Sequence, residues 1–150
     1  MRLTFGSTGL LLVLLIILGF SPLVVAGTGA KTIGTDELHA MVVGNAYKME
    51  AGQARQFVII DARIRQKYDE GHILSAISVP ESGFERSTEL LPKDKSVLLA
   101  VYCNSKEHGT CIKWADKAAA VGYTNIVIYS EGFAVWKESY KPIVPIRRAQ

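Results

Sequence analysis

Residues 97–111, VLLAVYCNSKEHGTC, join a predicted strand to a predicted helix through a loop that begins with a cysteine. Residues 97–102 form a continuous apolar run that is typical of a buried strand, and a helical pattern follows from about Cys111 to Val121. Cys103 is therefore expected at the carboxyl edge of a sheet, which is the usual ligand crevice of open α/β folds. There the positive end of the helix dipole would favour the thiolate, and inward-pointing loop amides could hold an anion. The pattern predicts a nucleophilic cysteine.

Strand and helix patterns alternate along the rest of the chain. Further strands are predicted at residues 57–61, 76–79 and 125–129. Helices are predicted from Thr35 to an end at Gly44-Asn45, and at residues 65–70, 84–91 and 133–140. Since the strands are continuous apolar runs, we predict a parallel sheet covered by helices on both faces. Trp136 and Tyr140 are expected in the core, and Pro142 and Pro145 are expected to prevent further regular structure.

Residues 1–26 have the features of an export signal. Arg2 gives a weakly basic start, residues 10–18 are an unbroken apolar run, and the VVA at residues 24–26 fits the small-residue rule for signal peptidase. We predict cleavage before Gly27 and export to the periplasm or the extracellular space. The alternative is a membrane anchor formed by an uncleaved N-terminal helix. The predicted organisation is a signal peptide (1–26), a leader (27–32), one domain (33–145) and a C-terminal tail (146–150).

Charge and composition argue against several classes of partner. The net charge of +3 falls to +2 when residues 1–26 are removed, because Arg2 is their only charged residue. Basic and acidic residues are interspersed without a basic stripe, so we expect no nucleic-acid partner. The three histidines and two cysteines lack the spacing of a zinc site, and no phosphate-binding glycine loop is present, so we predict no metal and no cofactor. No stable membrane contact is expected once the signal is cleaved.

Several segments together resemble the rhodanese domain family. VIIDAR at residues 58–63 resembles the IDVR strand exit of that family, and YDEGHILSAISVP at 68–80 resembles its Y-x-x-G-H-I-P-G-A-x-N-x-P segment. VYC at 101–103 resembles the strand that leads to the active cysteine. GYTNI at 122–126, followed by EGFAVW at 131–136, resembles GY-x-N-V … GG-x-x-x-W. The resemblance covers nearly all of the mature chain and implies a three-layer α/β fold with a central parallel sheet flanked by helices.

The resemblance also implies a sulfurtransferase in which Cys103 carries a persulfide. Sulfane sulfur would pass from thiosulfate, or a similar small anion, to a thiol or a protein acceptor. The loop would bind the anion through its amides and hydroxyls, with candidates Asn104, Ser105, Lys106, Glu107, His108, Gly109 and Thr110. Asp61 and Arg63 would support the shape of the loop, with an ordinary surface ion pair as the alternative.

Cys111, eight positions after Cys103, is the second of the two cysteines in the chain. A loop that folds back could bring the two sulfurs within bonding range, and Cys111 would then be a resolving thiol that leaves a disulfide. The alternative is a small buried side chain that packs the helix onto the sheet. A rhodanese-like thiol–disulfide redox module or non-catalytic binding module, using Cys103 and Cys111, is therefore the second functional hypothesis.

The sequence departs from the family pattern in the loop and in two turns. Residues 104–110 contain no arginine, whereas a common rhodanese loop reads C-R-x-G-x-R-S. The loop length resembles that of rhodanese-fold phosphatases and arsenate reductases, but Gly109 stands where their signature has arginine, so this hypothesis ranks last. In the turns, Leu74-Ser75 replaces the usual Pro-Gly, and Glu131 replaces the first glycine of a pair.

Overall fold

A five-stranded parallel sheet forms the centre of the fold. The computed structural model describes residues 29–50, 57–104 and 109–145. Across the sheet the strands are ordered β1 (Lys31–Ile33), β6 (Ile126–Tyr129), β5 (Leu98–Tyr102), β2 (Phe57–Asp61) and β4 (Ile77–Ser78). Every neighbouring pair is parallel, as the continuous apolar runs predict.

Helices cover both faces of this sheet, which makes the three layers. They are α1 (Thr35–Glu50), α2 (Arg65–Asp69), α3 (Phe84–Ser87), α4 (Gly109–Ala120) and α5 (Gly132–Glu138). Because successive strand residues point to opposite faces, Ile60 packs in one core cluster with Trp114 of α4. Its neighbour Ile59 packs in the other cluster with Trp136 of α5. The predicted fold class is therefore confirmed.

A second, two-stranded sheet corrects the expectation for the C-terminal segment. β3 (Gly71–Ile73) pairs in antiparallel fashion with β7 (Ile143–Pro145), so Pro142 and Pro145 do not prevent regular structure. Pro145 stands at the end of its strand, opposite Gly71, where a missing N–H is tolerated. The carbonyl of Pro142 accepts hydrogen bonds from the backbone N–H of Leu74 and from the indole of Trp136.

The predicted end of the first helix at Gly44-Asn45 is wrong, because α1 continues to Glu50. Asn45 is fully buried, and its Nδ2 donates a hydrogen bond to the carbonyl of Phe57 at 3.4 Å. This residue therefore ties the helix to the start of β2 instead of terminating the helix. The predicted strands at 57–61 and 125–129 correspond to β2 and β6.

Three smaller expectations also change. The helix expected over residues 84–91 is divided into α3 and a 3₁₀ turn at Thr88–Leu90. Trp136 is buried as predicted, but Tyr140 is 97% exposed and is not a core residue. Sheet pairing begins at Lys31, inside the segment that the sequence assigned to a leader.

The predicted signal peptide (1–26) and the tail (146–150) lie outside the described residues. Within the described ranges, no helix is long and apolar enough to cross a membrane.

The turn between β3 and β4 explains why the family pattern has Pro-Gly where this chain has Leu74-Ser75. The N–H of Ala76 donates to the carbonyl of Ile73 at 3.0 Å, which closes a four-residue turn with Ser75 at its third position. Ser75 has φ of 66°, a left-handed conformation that turns of this kind require at that position and that glycine adopts without a steric cost. The serine therefore keeps the turn at the expense of backbone strain.

We expect Ser75→Gly to be more stable than Ser75→Ala by about 0.5–1 kcal/mol. Both variants lack the hydroxyl, so they differ only in the Cβ, which disfavours the left-handed conformation by about 1–2 kcal/mol. The greater conformational entropy of glycine in the unfolded chain offsets part of this difference. Urea unfolding of the two variants under the same conditions measures the difference. An alanine variant as stable as the glycine variant would contradict the strain.

Candidate active site

Cys103 lies directly after the central strand of the sheet, at its carboxyl edge. The residue is 5% exposed, and its carbonyl accepts a hydrogen bond from the N–H of Phe133 at 2.9 Å. The carbonyl of Asn104 accepts a hydrogen bond from the N–H of Ala134 at 3.3 Å. Both donors belong to the first turn of α5, so the amides at this helix end hold the backbone that leaves β5.

A disulfide joins Cys103 to Cys111. Cys111 is the third residue of α4, is 1% exposed, and has its Cα 5.9 Å from that of Cys103. The structure shows the disulfide between the two cysteines and also buries Cys111 in the core, and the role of Cys111 as a resolving thiol stays a prediction. Since the chain contains two cysteines, this state holds no free thiol, and Cys103 can act as a nucleophile only after reduction.

The residues between the two cysteines are described in part. Asn104 is exposed, and Gly109 and Thr110 are exposed at the start of α4. Ser105, Lys106, Glu107 and His108 lie outside the described residues. The anion-binding role of this loop therefore stays a prediction.

Asp61 and Arg63 form a buried ion pair beside the cysteine, and not a surface pair. Their side chains are 0% and 5% exposed. The guanidinium approaches the carboxylate with Nη2 at 2.6 Å from Oδ2 and Nε at 3.0 Å from Oδ1. Arg63 also donates its backbone N–H to Asp61 Oδ1 at 2.9 Å. The alternative of an ordinary exposed pair is therefore wrong.

Tyr102 completes this cluster, and sequence reasoning assigned it no role. Its hydroxyl donates to Asp61 Oδ2 at 2.6 Å and accepts from the backbone N–H of Ile73 at 3.1 Å. Burial, together with the Asp61 charge, raises the pKa of Tyr102 well above its usual value, so the hydroxyl stays protonated and remains a donor. The sequence signal for this role was a single hydroxyl at the end of an otherwise aliphatic strand. In the structure, Tyr102 pairs with Asp61 across β5 and β2.

The Arg63 guanidinium is buried and makes contacts beyond Asp61. Its Nη2 donates to the carbonyl of Gly71 at 2.7 Å, and its Cζ lies 3.9 Å from the centre of the Phe133 ring. Burial alone would lower the pKa of Arg63, but the hydrogen bonds and charge of Asp61 raise it above its usual value. Since this cation is buried and neutralised, it is not available to an anionic substrate. Instead it joins β2, β3 and α5 behind Cys103, and the supporting role of Asp61 and Arg63 stays a prediction.

We expect Tyr102→Phe to lower the free energy of unfolding by about 2–3 kcal/mol, because it leaves the N–H of Ile73 without its acceptor and removes a donor from Asp61. Tyr123→Phe is the matched control. The Tyr123 hydroxyl makes one hydrogen bond, to the carbonyl of Pro92 at 2.6 Å, and its loss is expected to cost about 1 kcal/mol. Chemical unfolding of both variants measures the difference, and equal losses would argue against the cluster.

Solved structures with a similar fold carry different descriptions. The rhodanese-like domain of an Anabaena sp. protein is 23% identical, with a TM-score of 0.60, over 79% of this chain and 83% of that one. A thiosulfate sulfurtransferase of Pseudomonas aeruginosa is 16% identical, with a TM-score of 0.61, over 77% of this chain and 20% of that one. A Rhodopseudomonas palustris protein described as a possible tyrosine phosphatase is 19% identical, with a TM-score of 0.55, over 77% and 85%. At these identities, the structural similarity shows a shared fold but does not indicate which activity this chain has.

The family model for the rhodanese-like domain matches residues 45–139. The match extends from the second half of α1 to the end of α5 and contains Cys103, Cys111 and the Asp61–Arg63 pair. The chain therefore belongs to the rhodanese-like domain family.

Proposed function

We propose that this protein is a sulfurtransferase that carries sulfane sulfur as a persulfide on Cys103. The observation that carries the proposal is the position of Cys103, directly after the central strand at the carboxyl edge of the sheet. Once the disulfide is reduced, this position provides a thiol at the edge where open α/β folds bind ligands. Membership of the rhodanese-like family supports this chemistry.

The proposed reaction begins with reduction of the disulfide by an external thiol. The Cys103 thiolate then attacks the outer sulfur of thiosulfate, the sulfur–sulfur bond of thiosulfate breaks, and sulfite leaves with the bonding electrons. The persulfide passes its outer sulfur to a thiophilic acceptor, such as cyanide in an assay or a thiol or protein thiol in the cell. The loop from Asn104 to Thr110 would bind the donor anion through backbone amides and hydroxyls, since Arg63 is buried and paired with Asp61.

A location outside the cytoplasm belongs to the same proposal. The predicted signal peptide would direct the chain to the periplasm or the extracellular space, and a disulfide persists in such oxidising compartments. An uncleaved N-terminal anchor at the outer face of a membrane would place the domain in the same environment.

A thiol–disulfide redox module is the second candidate, and the disulfide itself favours it. The two cysteines would cycle between dithiol and disulfide with a partner protein, without taking up sulfur. A phosphatase or arsenate reductase is not proposed, because residues 104–110 contain no arginine to clamp an oxyanion.

Reduced protein, freed of reductant without oxygen, is expected to release one sulfite per chain from thiosulfate. The oxidised protein should release none until it is reduced, and Cys103→Ser should release none in either state, because each lacks the Cys103 thiolate. Cys111→Ser, which keeps that thiolate, is the matched control and should release sulfite. Sulfite is measured directly in a single-turnover reaction. The redox module would be favoured instead if reduced wild-type protein released no sulfite while the disulfide form oxidised a dithiol.

A further inference from the structure

The placement of Cys111 points to a second chemical step at this site. We propose that, once the persulfide has formed on Cys103, Cys111 attacks it and releases hydrosulfide, so that the protein reduces thiosulfate to sulfite and sulfide. This step rests on the proposed sulfurtransferase function. Cys111 is then a catalytic residue that determines whether the sulfane sulfur leaves as sulfide or is delivered to an acceptor.

The two cysteines are held at bonding distance by regular structure. Cys103 directly follows β5, Cys111 lies in the first turn of α4, and their Cα atoms are 5.9 Å apart. Cys111, Trp114 and Ala118 are buried along one side of α4 and belong to the same core cluster as Val101 and Cys103, so the helix is packed onto the strand. A thiol held in this way reacts at a high effective concentration and can outcompete external thiols.

The bond in the structure identifies which sulfur Cys111 attacks. Attack on the inner sulfur, Cys103 Sγ, forms the Cys103–Cys111 disulfide that the structure contains and expels the outer sulfur. Attack on the outer sulfur would instead move the persulfide to Cys111, and the Cys103–Cys111 bond would not form.

The two half-reactions balance. First, the Cys103 thiolate takes the outer sulfur of thiosulfate and sulfite leaves. Second, the outer sulfur of the persulfide takes up one proton from water, the Cys111 thiolate forms a bond to Cys103 Sγ, the persulfide bond breaks, and the outer sulfur leaves with the electron pair as hydrosulfide. The sulfane sulfur gains two electrons, and the two cysteines lose two electrons as they become a disulfide.

Turnover requires a reductant, which we identify by class as an external dithiol. Its thiolate would attack the disulfide, form a mixed disulfide, and close on itself to leave both cysteines reduced. Each cycle then consumes one thiosulfate and one dithiol and yields one sulfite and one sulfide. Thiosulfate and a dithiol together are therefore the inferred substrates.

A single-turnover experiment tests this step on the full mature chain. Reduced protein, freed of reductant without oxygen, is mixed with thiosulfate, and sulfite, sulfide and intact mass are measured together. The wild type should release one sulfite and one sulfide per chain and lose two hydrogens, with Cys103 linked to Cys111. Cys111→Ser and Cys111→Ala should release one sulfite, at least about tenfold less sulfide, and keep one added sulfur on Cys103. Lys113→Ala, an exposed change in the same helix, should behave as the wild type.

The outcomes separate the two proposals. Wild-type protein that releases sulfite and keeps a stable persulfide, with no sulfide, would overturn the reductive step and leave the sulfurtransferase in place. A disulfide that closes equally fast without thiosulfate would also overturn it. Absence of sulfite from the wild type and from both Cys111 variants would overturn the sulfurtransferase itself.

Discussion

The chemistry of this protein depends on one bond, the disulfide between the end of the central strand and the first turn of α4. It joins Cys103, which directly follows β5, to Cys111, the third residue of α4. While the bond is closed, the helix is covalently fixed to the sheet and Cys103 has no thiolate. Reduction of the bond therefore frees both thiols together, and the proposed mechanism uses them as the nucleophile and the resolving thiol.

The buried cluster behind Cys103 provides the rigidity that this chemistry needs. Asp61 receives hydrogen bonds from Arg63 and Tyr102, and these two side chains reach the backbone of Gly71 and Ile73 in β3. Phe133, which lies against the guanidinium, donates its N–H to the carbonyl of Cys103. Because the charges neutralise each other inside the protein, the cluster fixes the backbone without providing an anion site. In the proposed mechanism, the loop that follows Cys103 binds the donor anion instead.

Local patterns were enough to predict the parallel sheet, the helices on both faces and the position of Cys103. Interactions between distant segments were not predictable in this way. The pairing of Gly71 with Pro145 depends on where the chain returns after α5, and the role of Tyr102 depends on its register with Asp61. Asp61 and Arg63 are two positions apart, so their contact could be anticipated, but their burial follows from the elements packed around them. Likewise, the spacing of the two cysteines in the sequence is compatible with a disulfide and with a packing role for Cys111. Whether a disulfide forms depends on the distance between the two sulfurs in the folded chain.

The most direct test of this account is the state of the two cysteines in protein isolated from its own compartment without reductant. Free thiols are blocked by alkylation at once, the chain is digested with trypsin, and the peptides are identified by mass. Since Lys106 lies between the cysteines, cleavage there separates the peptides 96–106 and 107–113 unless a disulfide joins them. We expect these two peptides to be recovered linked to each other, and to be recovered separately only after reduction. Recovery of both cysteines already alkylated would contradict the disulfide and the mechanism built on it.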